Sequence, residues 1–275
     1  MEDILRAIVL GIVQGLTEFL PISSSGHLIL VRELFGWEFT DDLTFDVSLH
    51  VGTTVAVVGY FSRDWIAMTR GSLRWLAGDR ESHAGHTADA RLLFLVIIGS
   101  VPIAILGFLA GDWLEEKIRS PEVVSLTLIG FGFVLLAAER LGRQQRDIAD
   151  GAPADALAIG ASQAISLIPG VSRSGITIST GLFRGLDRTS AARFSFLLST
   201  PAIGGAALLK LSDAASSGAL KDELDIIIAG AVTSAIVGWL AVAYLMRFIQ
   251  TRSFIPFVIY RIAAGTFFLV YFTVS

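Results

Sequence analysis

The sequence predicts an all-α polytopic membrane protein, with six transmembrane helices and two re-entrant helix hairpins arranged as an inverted-topology repeat. Three observations carry this prediction. The chain is 53% hydrophobic and only 17% charged, against roughly 25% charged residues in a soluble globular domain, and its mean hydropathy is +0.67. Six stretches are long and apolar enough to cross a bilayer. Two further apolar stretches are cut at their centres and resemble one another.

The spans come first. About 20 apolar residues cross the hydrocarbon core, and 43–61, 92–110, 122–139, 190–211, 225–246 and 255–274 meet that requirement, each bounded by charge or by Pro/Gly. Residues 4–20 and 22–35 are split by Pro21 and Ser23-Ser24-Ser25-Gly26, and 156–168 and 174–183 by Pro169-Gly170-Val171-Ser172-Arg173-Ser174-Gly175. Proline and glycine break a helix at each centre. Hairpins that enter the membrane and return are tolerated only where protein or water covers the freed backbone. A plain span over 4–20 is the alternative, and it would reverse the parity of everything after it.

The hairpins form a repeat. A shift of 149 residues places Gly11, Gln14, Ser23, Ser25 and Gly26 on Gly160, Gln163, Ser172, Ser174 and Gly175, five identities in sixteen ungapped positions. Thr17/Ser166 and Ile22/Val171 are similar pairs, and Phe45 and Leu49 continue the register onto Phe194 and Leu198. The chain is therefore read as one integral membrane domain over 1–275. Repeat one covers about 1–141, repeat two about 154–275, and 142–153 is a cytoplasmic linker. Each unit holds one hairpin and three spans, so the second copy is inverted relative to the first. Inverted repeats with broken helices characteristically build an anion or ion site where they meet.

Basic residues orient the chain. One side receives Arg63, Arg70, Arg74, Arg80, Arg91, Arg140, Arg143, Arg146, Arg184, Arg188, Arg247 and Arg252. The other receives only Arg6, Arg32, Lys117, Arg119, Lys210 and Lys221, and Arg173, Arg193 and Arg261 remain at membrane depth. Both termini and the first hairpin are thus expected outside, with the second hairpin entering from the cytoplasm. The absence of cysteine removes disulfides and thiolate metal sites. A net charge of -4 without a basic run gives no sign of nucleic acid. The acidic start Met1-Glu2-Asp3 lacks a small-residue cleavage site, which argues against a cleaved signal peptide.

Ionisable groups at membrane depth are costly and mark function. Glu18, His27, Arg173 and Arg261 stand out, with Asp46 and His50 a weaker pair one turn apart. Gln14 and Glu18 share a helix face, so the carboxylate is placed to hold a divalent cation or act as a base, Gln14 adding a carbonyl oxygen. A structural hydrogen-bonded pair is the plain alternative. Ser24 stands one turn before His27, and a hydroxyl near an imidazole suits nucleophilic attack, although serine runs also serve as N-caps. Ser172-Arg173-Ser174 opens a half-helix whose free N–H groups and positive dipole end favour an anion, and a guanidinium matches phosphate oxygens. A buried Arg173–Glu18 pair is the alternative there, and both can hold. Under the repeat, Glu18, Ser24 and His27 face Leu167, Arg173 and Ile176. The first copy therefore carries the acid–base and nucleophile candidates and the second carries the cation, a field suited to a pyrophosphate.

Gln14-Gly15-Leu16-Thr17-Glu18-Phe19-Leu20-Pro21, followed by Ser23-Ser24-Ser25-Gly26-His27, resembles the first signature of the bacterial undecaprenyl-diphosphate phosphatases, the bacitracin-resistance protein family. Pro169-Gly170-Val171-Ser172-Arg173-Ser174-Gly175-Ile176-Thr177 is similar to its second signature. Phe254-Ile255-Pro256-Phe257 with Tyr260-Arg261, and Phe194-Ser195-Phe196-Leu197-Leu198, resemble its C-terminal and mid-chain segments. The resemblance runs nearly end to end. It implies removal of the terminal phosphate from the C55 diphosphate lipid carrier of cell-wall synthesis, at the outer face of the plasma membrane, with Mg²⁺ or Ca²⁺. Glu18 matches the family's essential acid, His27 its histidine, Ser24 its proposed nucleophile and Arg173 its phosphate-binding arginine, while Ser172 and Thr177 match phosphate-pocket hydroxyls. Ser174, Ser25 and Arg261 complete the expected phosphate-binding set. Gln14 occupies a position that is Glu in some members, so it is expected only as a supporting metal ligand beside Glu18.

Two chemistries fit these residues: attack by Ser24, relieved of its proton by His27, or direct attack by water activated by Glu18 or His27. The prenyl tail is expected in a groove between spans. The expected partners are the polyprenyl diphosphate and bilayer lipids, with a homodimer allowed and no nucleic acid. A transporter or flippase of an anionic lipid or solute is the rival class, because inverted repeats with broken helices also serve alternating access. A lipid-sequestering protein without turnover is a third reading.

Overall fold

In the computed structural model the described residues are 2–37, 42–78, 84–117, 120–217 and 224–274, with side chains described at all of these except 42–44, 84–86, 110–117 and 208–217. Arg80, Arg119 and Lys221, counted above for orientation, lie outside them, as do the side chains of Lys117 and Lys210. The described chain is helical, with no strand. Eleven α-helices follow in order: α1 Glu2–Phe19, α2 Ser24–Phe35, α3 Asp42–Tyr60, α4 Ser62–Leu76, α5 Ala84–Lys117, α6 Pro121–Leu141, α7 Pro153–Ala164, α8 Arg173–Phe183, α9 Arg188–Ser217, α10 Leu224–Phe248 and α11 Ile255–Val274.

Among the described residues four stretches are long and apolar enough to cross a membrane: Thr87–Leu109, Pro121–Leu141, Leu224–Phe248 and Ile255–Val274. The expected spans 43–61 and 190–211 fall on α3 and α9. Large apolar side chains such as Phe108, Leu109 and Val274 face outward. Exposed apolar surface costs about 25 cal/mol per Å² in water, so a surface of this kind belongs in lipid, and the chain is a membrane protein.

Both predicted breaks are present. α1 ends at Phe19 and α2 starts at Ser24. α7 runs through a short 3₁₀ turn, Ile165–Leu167, before α8 starts at Arg173. The residues that restart the helices are paired by the 149-residue shift and share an unusual backbone: Ser23 has φ 75 and ψ 100, Ser172 φ 73 and ψ 112. Each caps its helix by accepting from the N–H three residues on, Gly26 at 3.4 Å and Gly175 at 3.1 Å. A non-glycine residue in such a region costs on the order of 1–3 kcal/mol and is held there by its surroundings.

The packing follows the same pairing. α1 lies along α10 and α7 along α5, and at each crossing two backbones touch through glycine. A Cβ on Gly11 would lie 2.7 Å from the Gly230 carbonyl oxygen, and one on Gly160 only 2.0 Å from that of Gly99. Leu49 packs against Gly230 as Leu198 packs against Gly99. α3 meets α9, and α6 meets α11.

Two regions differ from the simplest reading of the sequence. The stretch after the first span is a helix, α4, whose Met68 and Gly71 are buried while Arg63, Arg70 and Arg74 are exposed. A helix with apolar residues on one face and arginines on the other lacks the continuous apolar run by which spans are recognised. The segment 142–152 is tied down: Ile148 is buried, and Arg146 donates to the Arg184 carbonyl and to Asp155. Around it, Asp155 accepts from both Arg146 and Arg184 at 2.7 Å, Arg188 pairs with Glu139 at 2.5 Å, and Arg193 pairs with Asp64 of α4. Arg193, read as lying at membrane depth, thus has its partner at the helical end that gathers the other arginines. Burial pushes the Asp155 carboxyl up, but hydrogen bonds from Arg146, the Ala152 N–H and Arg184 outweigh it and hold the group at about 2.

Candidate active site

The two breaks meet, and one carboxylate joins them. Glu18, the penultimate residue of α1, is 5% exposed. Its Oε1 accepts from Arg173 Nη2 at 2.8 Å and its Oε2 from the Ser24 hydroxyl at 2.5 Å and from Gln14 Nε2 at 3.0 Å. One buried acid therefore gathers the first residue of α2 and the first residue of α8. Its partners satisfy it: an isolated carboxylate would not stay ionised in such a place, whereas one holding a guanidinium and two further donors does.

Two atoms of this cluster are left over. Arg173 Nη1 and Gln14 Oε1 are buried and have no hydrogen-bond partner. A buried donor and a buried acceptor left without partners are costly in a finished core, at about 1–3 kcal/mol each. Such groups are expected where a ligand completes the set.

The second break is closed by its own hydroxyls. Ser172 and Ser174 lie 3.2 Å apart, Ser174 donates to the Leu20 carbonyl of the first break at 3.2 Å, and Thr177 contacts Ser195 and donates to the Arg173 carbonyl, both at 2.7 Å. Gly170, at φ 87, lets the backbone pass Thr127, whose Oγ1 would lie 2.0 Å from a Cβ there. Ser25 is half-buried and makes no side-chain hydrogen bond among the described residues.

Two of the expected site residues make contacts other than those expected. His27 does not hold Ser24. Its Nδ1 lies 2.7 Å from the Ser23 carbonyl, its Nε2 lies 2.8 Å from the Tyr260 hydroxyl, and its ring stacks on Tyr260. A carbonyl oxygen only accepts, so Nδ1 carries the proton and Nε2 accepts from Tyr260. The partner placed to take the Ser24 proton is Glu18. Arg261, for its part, is fully buried and spends its donors on the backbone: Nε on Leu128, Nη1 on Pro21, and Nη2 on Gly170 and Val171. These contacts clamp both breaks against α6.

The sequence understated two residues. His50 of α3 reaches the site, its Nδ1 3.0 Å from Gln14 Nε2 and 3.7 Å from Glu18 Oε2. Tyr260 seats His27. His50 follows Asp46 by one turn, and Asp46 pairs with Arg32 at 2.7 Å. An ionisable residue inside an otherwise apolar span was the available signal for His50. Tyr260 carried none beyond its place before Arg261.

The family described as "Bacitracin resistance protein BacA" matches residues 7–267. The chain is 48% identical over 265 residues to an undecaprenyl-diphosphatase of Pelobacter propionicus, covering 96% of this chain and 95% of the relative. It is 45% identical over 272 residues to one of Hahella chejuensis, covering 98% and 99%, and 46% identical over 264 residues to one of Desulforudis audaxviator, covering 94% of each. With its two signature breaks folded onto one carboxylate and this similarity running nearly end to end, the chain belongs to the bacitracin resistance protein BacA family.

Proposed function

We propose that this chain removes the terminal phosphate from undecaprenyl diphosphate, giving undecaprenyl phosphate and inorganic phosphate, and thereby recycles the cell-wall lipid carrier and confers bacitracin resistance. The observation that carries the reading is the buried Glu18 that holds Ser24 on one oxygen and Arg173 on the other. Phosphoryl transfer asks a protein mainly for positioning and neutralisation of charge. The unpaired Arg173 Nη1 is a ready donor for a phosphate oxygen, and the positive end of α8 adds to it.

Ser24 is the nucleophile in this scheme, because its hydroxyl is the group held on the carboxylate. Its Oγ bonds to the terminal phosphorus while its proton passes to Glu18 Oε2, and the bond from that phosphorus to the bridging oxygen breaks to release undecaprenyl phosphate. Water then attacks the phosphoserine, the phosphorus–Oγ bond breaks, Ser24 regains a proton and inorganic phosphate leaves. His27 acts at one remove, holding the Ser23 carbonyl and so the first turn of α2.

A divalent cation, Mg²⁺ or Ca²⁺, fits the residues present. Such hard ions take oxygen ligands, and Mg²⁺ commonly uses one or two carboxylates with substrate phosphates. Glu18 and Gln14, whose Oε1 is without a partner, are the residues that would hold it. Among the described residues no group of three His, Asp or Glu side chains forms a cage. When bound, the ion neutralises phosphate charge.

The same reading makes the two hairpins re-entrant, the six spans an inverted pair of threes, and the site open to the outer face of the bacterial plasma membrane. It is supported by the matched backbone at Ser23 and Ser172, the crossed α1–α10 and α7–α5 contacts, and the arginines gathered around Asp155 and Glu139 at one end. Protein purified in detergent, given the C55 diphosphate and Mg²⁺, releases phosphate, and Arg173→Ala or Glu18→Ala abolishes release. Uptake of the lipid into vesicles with no phosphate released would instead support a transporter.

A further inference from the structure

Arg173 opens α8 inside the catalytic cluster and Arg184 follows its last residue, so a helix of 11 residues, about 16 Å long, separates the two. At the Arg184 end lies a cavity of about 540 Å³. Arg143, Arg146 and Arg184 line it, and among the described residues no acidic side chain does. The fold assembles these arginines from two segments. The Gly185 carbonyl accepts from the Gln145 and Arg146 N–H groups, both at 3.0 Å, and the Arg146 carbonyl accepts from the Asp187 N–H at 2.9 Å. The chain after α6 is thereby laid against the turn after α8.

Structural duty explains only part of this positive charge. Arg146 is spent: its Nη1 donates to the Arg184 carbonyl, and its Nη2 to the Asp150 carbonyl and to Asp155. Arg184 gives only its Nε, to Asp155, and its side chain is 45% exposed. Arg143 is exposed and makes no hydrogen bond or ion pair among the described residues. Two guanidinium ends with donors to give therefore stand at one cavity, and their planar forks match phosphate oxygens. The apolar lining decides between a soluble anion and a lipid. Leu141, where the apolar stretch Pro121–Leu141 ends, is 74% exposed, and Phe183 is 48% exposed. Both line the cavity. A soluble anion gains nothing from these two side chains, whereas a lipid covers them with its chains, and basic pockets between membrane helices take anionic headgroups in this way. We propose that this cavity binds an anionic phospholipid, its phosphate on Arg143 and Arg184 and the start of its acyl chains on Leu141 and Phe183.

The test titrates full-length protein in a non-ionic detergent with dioleoyl phosphatidylglycerol or with phosphatidylcholine of the same chains, and counts bound lipid by native mass spectrometry. The parent is expected to hold phosphatidylglycerol about tenfold or more tighter than the zwitterionic lipid. Arg143→Gln breaks no contact within the protein, so it is expected to melt like the parent while losing about tenfold in phosphatidylglycerol affinity, the worth of a hydrogen bond to a charged group. Arg70→Gln, at an exposed arginine of α4, is the control and is expected to leave that affinity unchanged. Glycerol 3-phosphate, an anion without chains, is expected not to displace the lipid. Equal affinity for the two lipids overturns the proposal. So do equal losses in Arg143→Gln and Arg70→Gln, which would mean diffuse surface charge, and displacement by glycerol 3-phosphate, which would mean a site for soluble phosphate.

Discussion

Glu18 and Arg173, 155 residues apart, are joined at 2.8 Å across the two broken helices, a buried pair that ties the first break to the second. Removing one partner of a buried ion pair strands the other charge at a cost of about 3–5 kcal/mol. Glu18→Ala and Arg173→Ala are therefore expected to lower thermal stability as well as activity, and Glu18→Ala/Arg173→Ala together to be less destabilised than the two single changes imply. Melting of the four proteins in one detergent checks this. Additive losses would show that the pair is not the joint.

Ser24 donates to Glu18, which makes a distinctive kinetic expectation. Ser24→Ala loses the nucleophile and is expected to fall by about a thousandfold or more in kcat, since removal of a nucleophile leaves only binding and charge stabilisation. Acid quenching of the parent enzyme during turnover of labelled diphosphate should trap phosphate on Ser24. His27→Asn, by contrast, leaves the Ser24–Glu18 contact in place and is expected to retain a trappable phosphoserine. Its absence in His27→Asn, with the protein folded, would return the proton-accepting role to His27.

Arg261 should behave as a structural residue. Four backbone carbonyls, of Leu128, Pro21, Gly170 and Val171, depend on it, and each buried acceptor left bare costs about 1–3 kcal/mol. Arg261→Met is expected to lose several kcal/mol of stability and much of its folded yield. If Arg261→Met folded as well as the parent and failed only in substrate affinity, the guanidinium would be a phosphate ligand after all.

The glycine crossings make a paired prediction. Gly160→Ala pushes a methyl onto the Gly99 carbonyl and is expected to destabilise strongly, whereas Gly107→Ala in α5 meets nothing within 4 Å and should gain about 0.5–1 kcal/mol from helix propensity. Thermal melts of the two variants check the contrast. Equal effects would mean that α7 and α5 do not cross where described.

Acid should loosen the end built on Asp155. Its folded pKa of about 2 lies below the ordinary 3.8, so the ionised form stabilises the fold. That contribution is complete above pH 3.8 and is lost as pH falls toward 2, a loss of roughly 2 kcal/mol. Asp155→Asn should flatten stability across this window. An unchanged slope there would assign the acid sensitivity to other groups.

How much of this was legible in the sequence depends on which atoms the claim needs. The breaks at Pro21 and Pro169-Gly170, the serine caps and the Glu18–Arg173 alternative follow from residue types, because helix breaking and buried charge are local or pairwise rules. Ser24 and His27 looked like partners because one helical turn separates them. Ser23, however, turns through positive φ, which brings the Ser24 hydroxyl back to α1 while His27 reaches α11, and no periodicity encodes that turn. Arg261 read as function because a buried arginine usually is; only the positions of four carbonyls from three segments show it as a clamp. α4 was passed over because its apolar residues are interleaved with arginines.

The most direct measurement is a structure of the parent protein with an undecaprenyl methylenediphosphonate, which cannot be cleaved at the bridging position. The terminal phosphonate is expected between the breaks, one oxygen on Arg173 Nη1 and the phosphorus in line with Ser24 Oγ at near-contact distance. A phosphonate bound elsewhere, with Glu18 still bridging Ser24 and Arg173 undisturbed, would contradict the shared site.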